Sequence, residues 1–118
     1  MADYDTRCAT YGFATKEEIL ATSKIPTVVF LDVRTQEEIS VAKLTPPDGA
    51  WVACSCTPDA APELESDAAK LLPDKNAPVI VYCGSGRRAA KAKEVLVAQG
   101  YSTVLNAGGL MDLGFFNM

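Results

Sequence analysis

Residues 79–88 read VIVYCGSGRR, an apolar run that leads into a cysteine, two glycines and two arginines. A continuous apolar run is typical of a strand buried on both faces, as in a parallel sheet. Beyond the loop, apolar residues at 89, 92, 95 and 96 share one helical face, and Gly100 stands where a helix would end. The pattern predicts a buried strand, a tight loop that starts at Cys83, and a helix over residues 86–99.

The rest of the chain alternates short apolar runs with helical segments, which predicts one α/β domain over residues 1–118. We expect a mainly parallel central sheet of about five strands flanked by helices. The predicted strands lie at residues 11–14, 25–33, 51–54, 79–82 and 102–105. The other predicted helices lie at 15–22, from 35 onwards, at 63–72, and from 108 onwards. The first two of these open with the capping-box patterns TKEE and TQEE, and a proline-containing loop is expected at 45–49.

The composition excludes several kinds of site. The chain has no histidine, so a Ser-His-Asp triad, a Cys-His couple and histidine metal ligands are all excluded. Of its four cysteines, Cys54 and Cys56 lack the second pair that a zinc site requires, so no metal is expected. We favour strand core over a redox pair for these two thiols. Cys8 lies in a polar terminus and has no functional interpretation.

The charge argues against a nucleic-acid partner, because the formal net charge is −4. The local exception is a positive group suited to a small anion, formed by Arg87, Arg88, Lys91 and Lys93. No stretch is long enough to span a bilayer, and residues 1–10 contain no apolar signal segment. We therefore expect no membrane partner and, by default, an intracellular, cytoplasmic location. An organellar location after loss of a targeting peptide stays open.

Cys83 stands at the carboxyl end of its predicted strand, where open α/β sheets bind ligands. Gly84 and Gly86 allow the backbone to curl tightly into the following helix, and such a curl directs N–H groups inward as an anion cradle. The same field favours thiolate over thiol. Arginines at a helix N-terminus oppose the helix dipole, so at least one of Arg87 and Arg88 should face an anion. The alternative for Cys83 is a buried structural thiol, which the following glycines and arginines disfavour.

The pattern C-x-x-G-x-R at residues 83–88 resembles the active loop of the rhodanese family. The segment Asp32-Val33-Arg34, followed by two glutamates at 37–38, is similar to the D-V-R segment of that family. The resemblance covers nearly the whole chain, and the glycines at 108–109 are a weaker match. Residues 44–50, LTPPDGA, depart from the G-H-I-P-G-A stretch of many members. The missing histidine affects the local loop shape more than the chemistry.

The resemblance implies a thiosulfate sulfurtransferase that needs no cofactor. Cys83 would take sulfur from a small anionic donor such as thiosulfate or 3-mercaptopyruvate. The resulting persulfide would be held by N–H groups of the loop Gly84, Ser85 and Gly86. A thiol, cyanide or protein acceptor would then remove the sulfur, so the reaction would proceed in two half-reactions.

The resemblance also assigns roles to charged residues. Arg88 would orient the anion and the loop, and Arg87 would help to select the donor. Asp32 and Arg34 would brace the loop from behind. The alternatives are a strand-end turn residue for Asp32 and a surface salt bridge for Arg34.

Three other functions were weighed against this one. A cysteine-dependent phosphatase or arsenate reductase of the same fold carries H-C-x5-R, but here Tyr82 precedes the cysteine and Ala89 occupies the longer loop's arginine position. A partner-binding or non-turnover sulfur-carrier module stays open, although inactive modules typically lack the cysteine. Residues 84–89 also match the dinucleotide pattern G-x-G-x-x-A. That reading is rejected because Asn106 stands where an acidic residue is needed.

Overall fold

The computed structural model describes residues 4–42 and 50–117. Its described strands are β1 Val29–Asp32, β2 Ala50–Ala53, β3 Val79–Cys83 and β4 Val104–Gly109. They form one parallel sheet in the order β2-β1-β3-β4. The α-helices are α1 Tyr4–Tyr11, α2 Lys16–Ser23, α3 Gln36–Val41, α4 Pro62–Leu71 and α5 Arg87–Ala98, and a 3-10 helix, Leu110–Asn117, follows β4. The predicted α/β class with a mainly parallel sheet is confirmed.

Each face of the sheet has its own apolar core. One core packs alternate residues of β1 and β3, such as Leu31 and Val81, against α4 and α5. The other packs Phe30 and Ile80 against Ile19 of α2 and against the segment after β4. Because both faces are covered, β3 is buried along its whole length, as the apolar run predicted. Among the described residues, no helix is long and apolar enough to cross a membrane.

Both predicted capping boxes are present. Thr15 and Thr35 each accept the N–H of the third helical residue, and Glu18 and Glu38 each accept the N–H of the capping threonine. These local exchanges satisfy N–H groups that have no partner within the helix, so α2 and α3 begin where the sequence indicated.

The sheet has four described strands rather than about five. The strand predicted at residues 11–14 is a single parallel bridge between Phe13 and Asn106. It is this short because α1 ends at Tyr11 and Thr15 already caps α2. Helix α1 was not predicted, because residues 1–10 were interpreted as a polar terminus. The loop predicted at 45–49 lies outside the described residues.

The last strand differs most from its predicted bounds, which were residues 102–105. Strand β4 runs from Val104 to Gly109, and its register against β3 shifts after Val81 so that Gly109 is opposite Cys83. The glycines were interpreted as the start of a helix, but they extend the strand to the level of the cysteine. The closing helix consequently begins at Leu110.

Candidate active site

Cys83 is the last residue of β3 and is fully buried. Its Sγ accepts the N–H of Gly86 at 3.0 Å, so the loop turns back over the sulfur as expected from the sequence. Gly86 is the N-cap of α5 in a left-handed conformation, with φ +96°, and no side chain caps the helix there. The Gly86 N–H therefore points at the sulfur, and no N-cap side chain competes for the N–H groups of the first turn of α5.

Arg88 forms a two-pronged ion pair with Glu38 of α3. Its Nη1 and Nη2 lie 2.7 and 2.9 Å from the two carboxylate oxygens. The Arg88 hydrogen bonds are the main reason that the pKa of Glu38 is lowered to about 2. The expectation that an arginine here faces an anion is thus met within the protein itself. The interaction fixes the first turn of α5, and with it the end of the cysteine loop, to α3.

Asp32 and Arg34 form a second, buried ion pair behind the site. The Nε and Nη2 of Arg34 lie 3.0 and 2.8 Å from the two oxygens of Asp32, and both side chains are at most 5% exposed. Arg34 also donates to the carbonyl of Ala42, the C-cap of α3, at 2.7 Å. This pair therefore holds α3, which carries Glu38. The surface salt bridge considered for Arg34 is wrong, because the residue is 4% exposed.

The middle of the loop is held from α1. The carbonyl oxygen of Ser85 accepts Nη1 of Arg7 at 2.9 Å, and Arg7 is also paired with Asp112. Asp112 in turn accepts the N–H of Gly109 at 2.7 Å. One charged pair thus connects α1, the cysteine loop and the end of β4.

Asn106 supports the loop from β4. Its side-chain amide donates to the carbonyls of Gly86 and Tyr11 at 3.0 and 3.2 Å, and its oxygen accepts the N–H of Gly108 at 3.0 Å. The residue is fully buried, so these bonds satisfy groups that water cannot reach. Asn106, the residue that argued against a dinucleotide fold, therefore stabilises the start of α5 by binding the Gly86 carbonyl.

The outer side of the loop is open to solvent. Gly84 and Arg87 are exposed, whereas Ser85 and Arg88 are partly buried. The predicted site residues thus fall into two groups. Cys83, the loop and Arg88 lie together. Asp32 and Arg34 are connected to them only through α3, which Arg34 contacts at Ala42 and which carries Glu38.

The remaining cysteines lie in or near the core. Cys54 and Cys56 are buried in the same apolar cluster as Cys83, so the core part of the prediction holds, but both lie beyond the end of β2 rather than in a strand. A hydrogen bond with Cys54 and burial raise the pKa of Cys56 far above its ordinary value. Cys8, partly buried on α1, lies 3.9 Å from the carbonyl oxygen of Phe13.

Sequence reasoning missed four of these residues as parts of the site: Glu38, Arg7, Asp112 and Asn106. Glu38 carried a signal, since it was recognised in a capping box and the loop arginines required an anion. The bonds that join the other three to α1 and to the cysteine loop span 20 to 105 positions of the chain. Their pairing depends on the fold and has no local pattern.

The chain is similar to several known proteins. The model of the rhodanese-like domain matches residues 15–113. The thiosulfate sulfurtransferase PspE of Escherichia coli is 49% identical over 51 residues, which cover 43% of this chain and 49% of PspE. The thiosulfate:glutathione sulfurtransferase of Saccharomyces cerevisiae is 35% identical over 92 residues, covering 74% of this chain and 65% of that protein. The matches thus span about half and just under two thirds of these relatives' lengths.

Two solved structures share the fold. A rhodanese from E. coli, described with anions, superposes with a TM-score of 0.60 and 32% identity over 73% of this chain and 91% of its own. The human single-domain sulfurtransferase TSTD1 gives a TM-score of 0.64 at 18% identity, over 86% of this chain and 93% of its own, and this likeness concerns the fold alone. With the family model covering most of the sequence, the chain belongs to the rhodanese-like domain family.

Proposed function

We propose that this protein is a sulfurtransferase that carries sulfane sulfur as a persulfide on Cys83. The main support for the proposal is the hydrogen bond from the Gly86 N–H to the Sγ of Cys83, at 3.0 Å. Gly86 is the N-cap of α5, and no side chain caps that helix. A backbone donor in this position stabilises negative charge on sulfur, both in the attacking thiolate and in the persulfide.

In the first half-reaction, the Cys83 thiolate attacks the outer sulfur of thiosulfate. A new S–S bond forms to Cys83, the S–S bond of the donor breaks with its electron pair, and sulfite leaves. In the second half-reaction, a nucleophile attacks the outer sulfur of the persulfide. The S–S bond to Cys83 breaks and the thiolate is restored. No external oxidant or reductant is needed.

An anionic donor fits the charge of the site. Arg87 is exposed beside the loop, and Arg88 keeps a positive group close to Cys83 although Glu38 neutralises part of its charge. The names of both curated relatives include thiosulfate, and the similar E. coli rhodanese is described with anions. Thiosulfate is therefore the proposed donor, and cyanide or a low-molecular-weight thiol the acceptor to assay first.

The roles proposed for the site follow from its contacts. Cys83 is the nucleophile, and the loop Gly84, Ser85 and Gly86 supplies the N–H groups that hold the transferred sulfur. Arg88 fixes the loop and contributes positive charge. Arg87 contacts the incoming donor. Asp32 and Arg34 keep α3 in place, which positions Glu38 for Arg88.

Mass spectrometry tests the proposal. The purified protein is incubated with thiosulfate, desalted, and measured intact and as peptides, with Cys83→Ser as the matched control. We expect one added sulfur atom on the Cys83 peptide, removed by cyanide and absent from the control. If neither thiosulfate nor 3-mercaptopyruvate loads Cys83, the proposal is wrong, and phosphatase and arsenate reductase assays become the next measurements.

Steady-state turnover separates an enzyme from a sulfur carrier. Cys83 that loads and then transfers its sulfur repeatedly to cyanide or a thiol supports an enzyme with two half-reactions. Loading that discharges only to a protein acceptor supports the carrier role, in which the chain passes sulfur on without multiple turnovers.

A further inference from the structure

Arg7 of α1 bonds to two acceptors in different parts of the site. Its Nη1 lies 2.9 Å from the carbonyl oxygen of Ser85, and its two terminal nitrogens lie 2.8 and 3.0 Å from the carboxylate oxygens of Asp112. The side chains of Arg7 and Asp112 are only 13% and 15% exposed, so this charged pair is mostly shielded from water.

The Ser85 carbonyl belongs to the same peptide unit as the Gly86 N–H. A peptide unit is planar, and in the trans form its C=O and N–H point in opposite directions. There are no cis peptides among the described residues. The guanidinium of Arg7 therefore lies at one end of this unit. The Sγ of Cys83, which accepts the Gly86 N–H at 3.0 Å, lies at the other.

We propose that Arg7 is a positioning residue for sulfur transfer, which fixes and polarises the Ser85 to Gly86 peptide so that its N–H stays directed at the Cys83 sulfur. A cation bonded to a carbonyl oxygen draws electron density from the amide and strengthens the hydrogen bond that its N–H donates. The bond gains most when the acceptor carries negative charge, as the sulfur does during transfer. This inference rests on the proposed function.

Asp112 keeps Arg7 in this position. Burial raises the pKa of Asp112, but the hydrogen bonds from Arg7 and from the Gly109 N–H outweigh it, and the pKa lies below its ordinary value. The carboxylate is therefore ionised at neutral pH and fixes the planar fork of Arg7. The match to the family model begins at residue 15, so α1 adds this contact from outside the matched region.

Three variants distinguish two roles of Arg7: positioning the Ser85–Gly86 peptide, or only attaching α1 to the rest of the protein. Arg7→Met removes the bonds to both Ser85 and Asp112. Asp112→Asn weakens the ion pair between Asp112 and Arg7, and with it the attachment of α1, but it keeps the bond from Arg7 to Ser85. Arg7→Lys keeps the charge, yet a single ammonium cannot reproduce the fork geometry toward both acceptors.

The first readout is the rate at which Cys83 gains sulfur from saturating thiosulfate, measured by rapid quench and peptide mass spectrometry. Loss of one charge-assisted hydrogen bond predicts a decrease of about tenfold for Arg7→Met. We expect about twofold for Asp112→Asn and an intermediate value for Arg7→Lys. Thermal unfolding should show similar shifts for Arg7→Met and Asp112→Asn, since both weaken the attachment of α1.

The second readout needs no sulfur donor. Alkylation of Cys83 by iodoacetamide at pH 7, followed on its own peptide, should be slower in Arg7→Met than in Asp112→Asn. If wild-type protein takes up no sulfur, the proposed function fails, while this comparison still tests Arg7.

Equal decreases in Arg7→Met and Asp112→Asn, or wild-type rates in Arg7→Met, would overturn the proposal, because Arg7 would then merely attach α1 or contribute nothing. Should Arg7→Met fail to fold, Arg7→Lys takes its place. It must load and alkylate Cys83 more slowly than Asp112→Asn, and equal rates count against the inference.

Discussion

Asp32 is a fully buried carboxylate whose ionic partner is the nearly buried Arg34. Replacing Arg34 with methionine would leave that charge uncompensated in the core. We expect the free energy of unfolding, measured with urea, to fall by about 3–5 kcal/mol. The double variant Asp32→Asn/Arg34→Met should lose less than the sum of the two single variants, because the neutral amide needs no counter-charge. A loss under about 1 kcal/mol, typical of an exposed pair, would contradict this role.

The ion pair of Glu38 with Arg88 gives the stability a defined pH dependence. The pKa of Glu38 is depressed to about 2 from an ordinary value of 4.5, chiefly by the Arg88 hydrogen bonds. A depressed carboxyl pKa contributes stability that is complete above the ordinary value and is lost as the pH falls through the depressed one. Glu38→Gln should therefore be less stable than wild type at pH 6, and the difference should shrink between about pH 4.5 and 2. Urea unfolding across this range measures it. A difference that is constant with pH would exclude the ion pair as its source.

In the loop before helix α5, position 86 requires glycine for two reasons that can be tested separately. Its φ is +96°, and a Cβ at this position would collide with the ring of Phe13. Gly100, at the other end of α5, has φ +94° with nothing within 4 Å, and so has the strain without the collision. We expect Gly100→Ala to cost about 1–2 kcal/mol of unfolding free energy. Gly86→Ala should cost about 1–3 kcal/mol more and slow sulfur loading of Cys83.

A second substitution checks this explanation. Phe13→Leu, which removes the ring, should recover part of the stability of Gly86→Ala but none of that of Gly100→Ala. Calorimetric unfolding of wild type, the three single variants and the two double variants measures both effects. Equal costs at the two glycines would contradict the close approach of Phe13.

The elements differ in how far local sequence determines them. Helices α2 and α3 were located by capping exchanges confined to four residues, and β3 by its apolar run. Helix α1 was not predicted because its composition is polar and was interpreted as a terminus. Strand β4 was predicted too short, because Gly108 and Gly109 were interpreted as the start of a helix. Their pairing opposite Cys83 exists only once β3 lies beside them.

Over the whole molecule, a net charge of −4 coexists with arginines at the cysteine loop. An anionic donor is then attracted locally while the rest of the surface repels it. We expect kcat/KM for thiosulfate to fall by a few fold between about 0.01 and 0.5 M salt, since screening shortens the reach of the arginines, while kcat changes little.

Arg87→Met supplies the control for this effect. It should raise KM, flatten the salt dependence and leave the thermal stability unchanged, because Arg87 is exposed. An unchanged salt dependence in Arg87→Met would assign the attraction to other charges.

The site as a whole could be predicted only in part. Cys83, the loop and Arg88 form one contiguous stretch, which a local sequence pattern can single out. The groups that hold the loop come from α1, α3, β4 and the segment after β4, up to 105 positions apart. Those contacts depend on sheet order and register, which no local pattern contains.

The exposure of Arg87 affects how a protein with this site could diversify. Neighbouring parts of the loop are fixed by Arg7, Glu38 and Asn106, so most changes there would disturb the fold and the chemistry together. Arg87 faces solvent, so it can vary without disturbing the fold. A lineage, or a directed-evolution library, could therefore alter its preferred sulfur donor by mutations at this one position, without prior stabilising mutations elsewhere.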